Sequence, residues 1–263
     1  MSELLAYLAI GAATGFFAGL LGIGGGTIIV SSLALMFAAQ AFPAPYVMHM
    51  AIGTSLAAIM AGAWASFRTH HRHRSVDWPA MRAMVPGTLV GVGAGAVLAR
   101  AMDTAMLKAT FLAIMALIIA QMVLNLRPKA TRPLPGTLGM TLAGIVTGVS
   151  SSLFGGGAAA VGVPFLTWCS MGIHRAIGTV AALGFPVAIA GATAYAIAGY
   201  GAAGLPPWSV GFVYVPAFVG ISLTSVLVAP FGARLAHKLK GPTLRRIFAV
   251  FLVAIGVKVA ISV

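Results

Sequence analysis

The chain is poor in acidic residues and in charge of any kind. Of its 263 residues only three are acidic, Glu3, Asp77 and Asp103, and charged residues make up 7% of the total. A soluble domain carries about 25% charged residues because its surface must be hydrated. With 60% hydrophobic residues, the composition excludes an ordinary soluble domain and predicts an all-α, polytopic membrane protein.

Several residue types and motifs that the chain lacks reduce the number of functions it can have. Cys169 is the only cysteine, so no internal disulfide forms. The first apolar run carries Glu3 and no basic n-region, so we expect no cleavable signal. All three acids fall at predicted ends or loops, whereas cation-coupled carriers commonly keep an acid inside the membrane. The motifs G-x-x-x-x-G-K-[ST], G-x-S-x-G and H-E-x-x-H are missing, so we expect neither ATP hydrolysis, nor another enzymatic activity, nor a cofactor.

Basic residues outnumber acidic ones by 16 to 3. Basic loops beside apolar spans are typical of the cytoplasmic face of a membrane protein, so nucleic acid is not the expected partner. The run from Arg68 to Arg74 contains His70, His71 and His73. Because no carboxylate or cysteine completes a coordination set there, we interpret it as a cytoplasmic loop and predict no metal site.

What the chain does contain is one cassette present twice. A glycine stripe ends in a glycine run, and the pattern recurs 133 positions later. The two copies are Gly11, Gly15, Gly19, Gly22 and Gly24 to Gly26, then Gly144, Gly148, Ser152 and Gly155 to Gly157. Each copy is followed by His-x-Ala-Ile-Gly-Thr, at His49 and at His174, and by a tryptophan eight residues before a proline. We therefore predict two repeats, residues 1–130 and 131–263. Such duplication is typical of transporters whose substrate lies between the repeats.

Apolar segments divide equally between the two copies. They fall at about 4–21, 25–40, 50–67, 78–99, 105–126, 138–154, 157–170, 176–198, 209–229 and 244–262. Residues 4–40 as one helix would be about 55 Å long, against a hydrocarbon core of about 30 Å. Clustered glycine is a poor helix interior, so we predict a break at Gly22 to Gly26 and another at Gly155 to Gly157.

Basic residues decide whether each glycine-broken stretch crosses once or turns back. A single crossing divides the cations eight to eight, whereas a hairpin puts thirteen on one face and only Arg100, Lys108 and Lys258 opposite. The positive-inside rule favours the hairpin. Five segments per copy then make the repeats inverted, with both termini extracytoplasmic, in a bacterial inner membrane. Whether the hairpins span or re-enter stays open.

The glycine stripes themselves are typical of close helix packing. The breaks between the helices instead indicate a functional site. A hairpin tip buried near the midplane presents backbone N–H groups and the positive end of the next helix, which is an anion site. A surface turn is the alternative. Neutral donors nearby complete the candidate substrate-binding set of Gly24, Gly25, Gly26, Thr27, Gly53, Thr54, Ser151, Ser152, Gly156, Gly157, Gly178 and Thr179.

Two pairs of residues, one inside this set and one outside it, have competing interpretations. Thr54 and Thr179 either face the glycine tips and bind the anion, or only pack, with each hydroxyl satisfied by its own helix. His49 and His174 occupy matching positions at a predicted loop edge. Each is either a solvated cap or a group that handles protons or anions.

These residues resemble a known family. The segment from Gly15 to Gly26, the two Ala-Ile-Gly-Thr motifs and the closing run from Leu244 to Phe248 are similar to the TauE/SafE sulfite exporter family, also called the toluenesulfonate uptake permeases. The resemblance covers essentially the whole chain, although the second copy has three serines and a shorter glycine run. It implies a membrane transporter for sulfite, a sulfonate or a related sulfur-containing organic anion, without ATP. An anion channel and a non-transporting membrane scaffold or accessory subunit are the alternatives.

Overall fold

A computed structural model of the chain describes residues 2–21, 25–124, 132–236 and 241–262. The helices within these ranges are α1 Ser2–Leu21, α2 Gly26–Ala39, α3 Val47–Ala58, α4 Met60–Arg72, α5 Trp78–Ala101, α6 Thr104–Val123, α7 Thr137–Phe154, α8 Ala159–Trp168, α9 Ile173–Ala198, α10 Val215–Ala236 and α11 Gly241–Ser262. A 3-10 turn, Ala44–Tyr46, precedes α3. Within the described parts of the chain, six stretches are long and apolar enough to cross a membrane. The prediction of an all-α polytopic membrane protein is confirmed.

Two segments differ from their predicted bounds. The segment expected at 50–67 begins at Val47 and is interrupted at Ile59, which separates α3 from α4. The segment expected at 209–229 begins only at Val215, because the preceding residues form an antiparallel pair of short strands, β1 Ser209–Val210 and β2 Val213–Tyr214. Gly211, at a φ of 54°, supplies the left-handed turn between these strands. The hydropathy of the sequence marks neither the interruption at Ile59 nor the strand pair before α10.

The helices that follow the glycine breaks are short. α7 ends at Phe154, and the next residue, Gly155, has a left-handed φ of 66°, and Gly157 is also left-handed; the predicted break there is confirmed. α1 ends at Leu21 and α2 begins at Gly26, while 22–24 lie outside the described residues. At 1.5 Å per residue α2 is about 21 Å long and α8 about 15 Å. Neither is long enough to cross a core of about 30 Å alone.

Glycine stripes hold the long helices together in two pairs, α1 with α10 and α5 with α7. A methyl group added at Gly15 would overlap the backbone carbonyl of Ser225, and one at Gly91 would overlap that of Ile145. Each pair joins a helix from residues 1–130 to one from 131–263. The helices therefore approach backbone to backbone, as small-residue stripes allow in membranes.

The α5–α7 contact gives a first prediction. Gly91→Ala should destabilise the protein by about 1–3 kcal/mol, because the added methyl group meets backbone atoms that cannot rotate away. Gly93→Ala, two residues along the same helix, meets nothing within 4 Å and should melt like the parent. The check is the melting temperature of each purified variant in detergent. Equal melting temperatures would contradict the described contact.

One ion pair bears on how the chain threads the membrane. Arg175 at the start of α9 donates to the carboxylate of Asp77, 2.7 Å away, just before α5. The side chain of Ser170 donates to the carbonyl of Arg132 near the same ends of the helices. The hairpin alternative places these residues on one face, whereas the single-crossing alternative places Asp77 and Arg175 on opposite faces.

Helix α3 is the centre of the structure. All twelve of its residues are buried, and it contacts α2, α6, α7, α9 and α10. A helix that is apolar on every face is expected inside a bundle. Its few polar side chains, His49, Thr54 and Ser55, are therefore surrounded by protein.

Candidate functional site

The glycine breaks of the two copies touch each other. A methyl group added at Gly26 would overlap the carbonyl oxygen of Gly155 and lie 2.7 Å from Cα of Gly156. Gly25 in turn packs against the side chain of Thr14 on α1. We call Gly25, Gly26, Gly155 and Gly156 the glycine junction. The N-terminus of α2 therefore meets the segment that leads from the end of α7 into α8, which begins at Ala159.

Ser55 of α3 bridges the junction. Its hydroxyl lies 3.1 Å from the carbonyl oxygen of Gly26 and 3.0 Å from that of Gly155. A hydroxyl has one proton, so the two carbonyls share it. Ser55 follows the first Gly-Thr motif directly, whereas Val180 follows the second. Sequence reasoning missed Ser55; a hydroxyl beside the motif in an otherwise apolar segment was the available signal.

Hydroxyl donors cover carbonyl oxygens at the end of α7. The Tyr195 hydroxyl donates to the carbonyl of Ser152 at 2.9 Å, and Ser55 covers Gly155. The first-turn N–H groups of α2 and α8 have no acceptor within their own helices. The N-terminal end of α2 lies at this contact, and a positive helix end is a general feature of anion-binding sites.

Unpaired hydroxyls lie in the same part of the bundle. The side-chain oxygens of Thr14, Ser31 and Ser152 are buried and have no hydrogen-bond partner. Thr14 packs on Gly25, Ser31 follows Gly26 on α2, and Ser152 is in the last turn of α7. Leaving a buried hydroxyl unpaired costs about 1–3 kcal/mol. Of these three, the side chain of Ser152 packs against Gly95 of α5, and the methyl group of Thr14 rather than its hydroxyl faces Gly25.

The other predicted residues lie in several places. Gly24 is outside the described residues, Thr27 is buried in the first turn of α2, and the Ser151 hydroxyl donates to the carbonyl of Thr147 in its own helix. Gly157 lies beside Gly156, 3.9 Å from the Ile59 side chain at the position of a methyl group. Of the predicted glycines, the structure thus brings Gly26 against Gly156, while Gly25 contacts α1.

The Gly-Thr pairs occupy matching environments formed by the other half of the chain. Thr54 accepts a hydrogen bond from the backbone N–H of Tyr214 at 2.9 Å, and Thr179 accepts one from that of Asp77 at 2.9 Å. Gly53 contacts the carbonyl of Phe212, and Gly178 contacts that of Ser75. The interpretation that each threonine hydroxyl is satisfied by its own helix is therefore wrong. Each bonds across the two copies.

These contacts give a second prediction. Thr54→Val and Thr179→Val keep the side-chain shape but leave a backbone N–H without its acceptor, which should cost about 1–3 kcal/mol of stability. Melting temperatures of both variants check this. Thr110→Val is the control, because its exposed hydroxyl bonds only to the preceding turn of α6. If all three variants have the same melting temperature, the hydrogen bonds of Thr54 and Thr179 to the other half of the chain contribute nothing to stability.

The two histidines are not equivalent. His174 is exposed at the start of α9, whereas His49 is 2% exposed inside α3, with Nε2 2.8 Å from the carbonyl oxygen of Ala99. The expectation of a loop edge is wrong for His49, because the first turn of α3 is covered by Tyr46 and Phe212. Among the described residues no group of three or more His, Cys, Asp or Glu is placed to hold a metal ion.

Comparison with known proteins agrees with this architecture. The sequence model of the family described as sulfite exporter TauE/SafE matches residues 7–259. A protein named probable membrane transporter protein from Haemophilus influenzae is 32% identical over 259 residues, covering 97% of each chain. One of the same name from Xylella fastidiosa is 28% identical, covering 98% of this chain and 95% of its own. No solved structure matches.

Proposed function

The chain belongs to the TauE/SafE sulfite exporter family, and we propose that it is a carrier for a small sulfur-containing oxyanion such as sulfite or a sulfonate. It is a multi-pass membrane transporter, as its relatives are named. The proposal goes further: the substrate binds at the glycine junction, between two inverted repeats, residues 1–130 and 131–263, in a bacterial inner membrane. The boundary between these repeats falls outside the described residues.

The observation that carries the proposal is the contact between the two glycine breaks, with the N-terminus of α2 at that contact and unpaired buried hydroxyls on neighbouring helices. An oxyanion leaving water needs several donors, since an unpaired buried charge is very costly. Backbone N–H groups of α2 and α8, with Thr14, Ser31 and Ser152, supply neutral donors. No basic side chain is described as buried. Neutral donors hold an anion less tightly than a buried arginine does, and a carrier must release its substrate.

The junction is closed in this structure, because its backbones are in contact and Ser55 donates to both. Substrate entry therefore requires the two glycine breaks to separate. Separation frees the Ser55 hydroxyl, which then donates to the oxyanion in place of the carbonyls. Short helices such as α2 and α8, each on its own repeat, are the kind of broken element around which alternating access works.

Flux in proteoliposomes tests the proposed function. Purified protein should move labelled sulfite or sulfonate with saturation and without ATP, and the movement should be competed by other sulfur oxyanions but not by a cation. A non-saturable flux that also passes chloride would favour an anion channel. Absence of flux and of any ligand-dependent thermal shift would leave a scaffold or accessory subunit.

A further inference from the structure

His49 has a nitrogen that nothing in the structure uses. Its Nε2 lies 2.8 Å from the carbonyl oxygen of Ala99, and because a carbonyl only accepts, Nε2 carries a proton. Nδ1 is then the lone-pair nitrogen of the neutral ring. It is buried and has no hydrogen-bond partner. An unpaired lone pair on a buried imidazole is a place where a further proton can bind.

Burial of the ring disfavours its charged form, and several acceptors near the ring offset part of that cost. The backbone carbonyls of Pro45 and Met102 lie near the ring, outside hydrogen-bond geometry, and Asp103 is close enough to act on it electrostatically. Nε2 also faces the C-terminal end of α5, where the helix dipole is negative. A histidine that served only to cap α5 would need Nε2 alone. The acceptors around the rest of the ring have no role in that function.

No other group in this neighbourhood titrates near neutrality. The titratable and charged side chains at the His49 end of the surrounding elements are Tyr46, Arg100, Asp103, Lys108, Tyr195 and Tyr214. The histidines of α4 and α9 lie beside Ser75 and Asp77, before the start of α5, whereas His49 bonds at its end. Tyrosine, arginine, lysine and aspartate ordinarily change charge far from neutral pH, whereas imidazole does so between about pH 5 and 8. α2 and α7, which also contact α3, contain no titratable residue in their described parts.

His49 is connected to the glycine junction through one helix. Ser55 lies six residues further along α3, about 9 Å away along its axis. Between them Ile52 packs against Gly155, 3.4 Å from the position of a methyl group there. His49 also approaches the surface, because Pro45, next to the ring, is exposed. A proton can thus reach His49 near the start of α3, and its charge can affect the position of Ser55 near the end of the same helix.

We infer that Nδ1 of His49 binds a proton during the transport cycle, so that one proton moves with each oxyanion. This inference rests on the proposed function. The proton adds to the Nδ1 lone pair and leaves from the same atom, so no bond to substrate forms. A monoanion crossing alone does electrical work of about 2.3 kcal/mol per 100 mV. Joint movement with a proton removes that term and places a positive charge in the same bundle as the buried anion.

Proton movement beside flux is the test. Proteoliposomes containing a pH-sensitive dye, with the membrane potential clamped, are given a gradient of sulfonate or sulfite. The wild type should move about one proton per sulfonate. In His49→Gln the side-chain amide still donates to Ala99 but binds no proton, so proton movement should fall at least tenfold and sulfonate flux should lose its dependence on the pH gradient. His174→Gln, at the matching but exposed position, should behave like the wild type.

The possible outcomes distinguish the proposed transport function from the proposed proton coupling. Lack of flux with both anions overturns the proposed function and the coupling with it. Flux without protons in the wild type, or with undiminished protons in His49→Gln, overturns the coupling alone. His49→Asn provides a second non-titrating variant if glutamine does not fit, and it should show the same loss.

Discussion

Gly26→Ala is expected to reduce oxyanion flux at least tenfold in a protein that still folds. The added methyl group would occupy the space now taken by the Gly155 carbonyl oxygen and approach Gly156 Cα. Both obstacles are backbone, so no side-chain rotation relieves the overlap, and overpacking of this kind costs about 1–3 kcal/mol. The glycine breaks are then held apart, and the closed arrangement of the junction is lost.

The measurement is tracer flux in proteoliposomes, normalised to folded protein by melting temperature and elution volume. Gly62→Ala on α4 is the matched control, since a methyl group there meets nothing within 4 Å. Wild-type flux in Gly26→Ala would show that contact between the breaks is not needed for transport. Equal loss in both variants would point to a general effect of removing membrane glycines.

Ser55→Ala is the second change with a large expected effect. It removes the one proton shared by the carbonyls of Gly26 and Gly155. The buried carbonyl of Gly155 then loses its hydroxyl donor, at a cost of about 1–3 kcal/mol, whereas that of Gly26 keeps its bond within α2. Since 1.4 kcal/mol is a factor of ten, the junction should open about tenfold more often. The lost donor weakens binding at the open junction, while easier opening offsets that loss, so the measured dissociation constant should change by less than tenfold.

Hydrogen exchange by mass spectrometry reads the first effect, in peptides covering 25–31 and 152–160, and binding calorimetry reads the second. Thr110→Ala serves as the control, because it removes an exposed hydroxyl that bonds only within α6. Exchange and affinity within twofold of the parent would reduce Ser55 to a packing residue.

Local signals in the sequence predict much of the fold. Long apolar runs locate the helices because a membrane core needs about twenty apolar residues to cross. The break at Gly155 and Gly157 was predictable because both adopt the left-handed backbone that glycine tolerates. The interruption at Ile59 was not, since neither glycine nor proline marks it. The strand pair around Gly211 was not predicted from the sequence, because its residues continue the same apolar run as the helix that follows.

The polar contacts of the site depend on tertiary structure. The sequence motif places Thr54 and Thr179 correctly as a matching pair, but only the fold shows that their partners are Tyr214 and Asp77. Equivalent sequence positions also acquire different environments, since His49 is enclosed while His174 is exposed. A repeated motif predicts correspondence along the chain. It does not predict equal burial, which depends on what packs against each copy.

The central claim is that a sulfur oxyanion binds at the glycine junction, and its most direct test is the position of bound substrate. A structure determined with the selenium analogue of the transported oxyanion, located by its anomalous signal, gives that position. The account predicts the selenium between the first turns of α2 and α8, with the glycine breaks separated and Ser55 or Ser152 within hydrogen-bond distance of the anion. Selenium bound elsewhere at saturating concentration, with Gly26 and Gly155 still in contact, would contradict it.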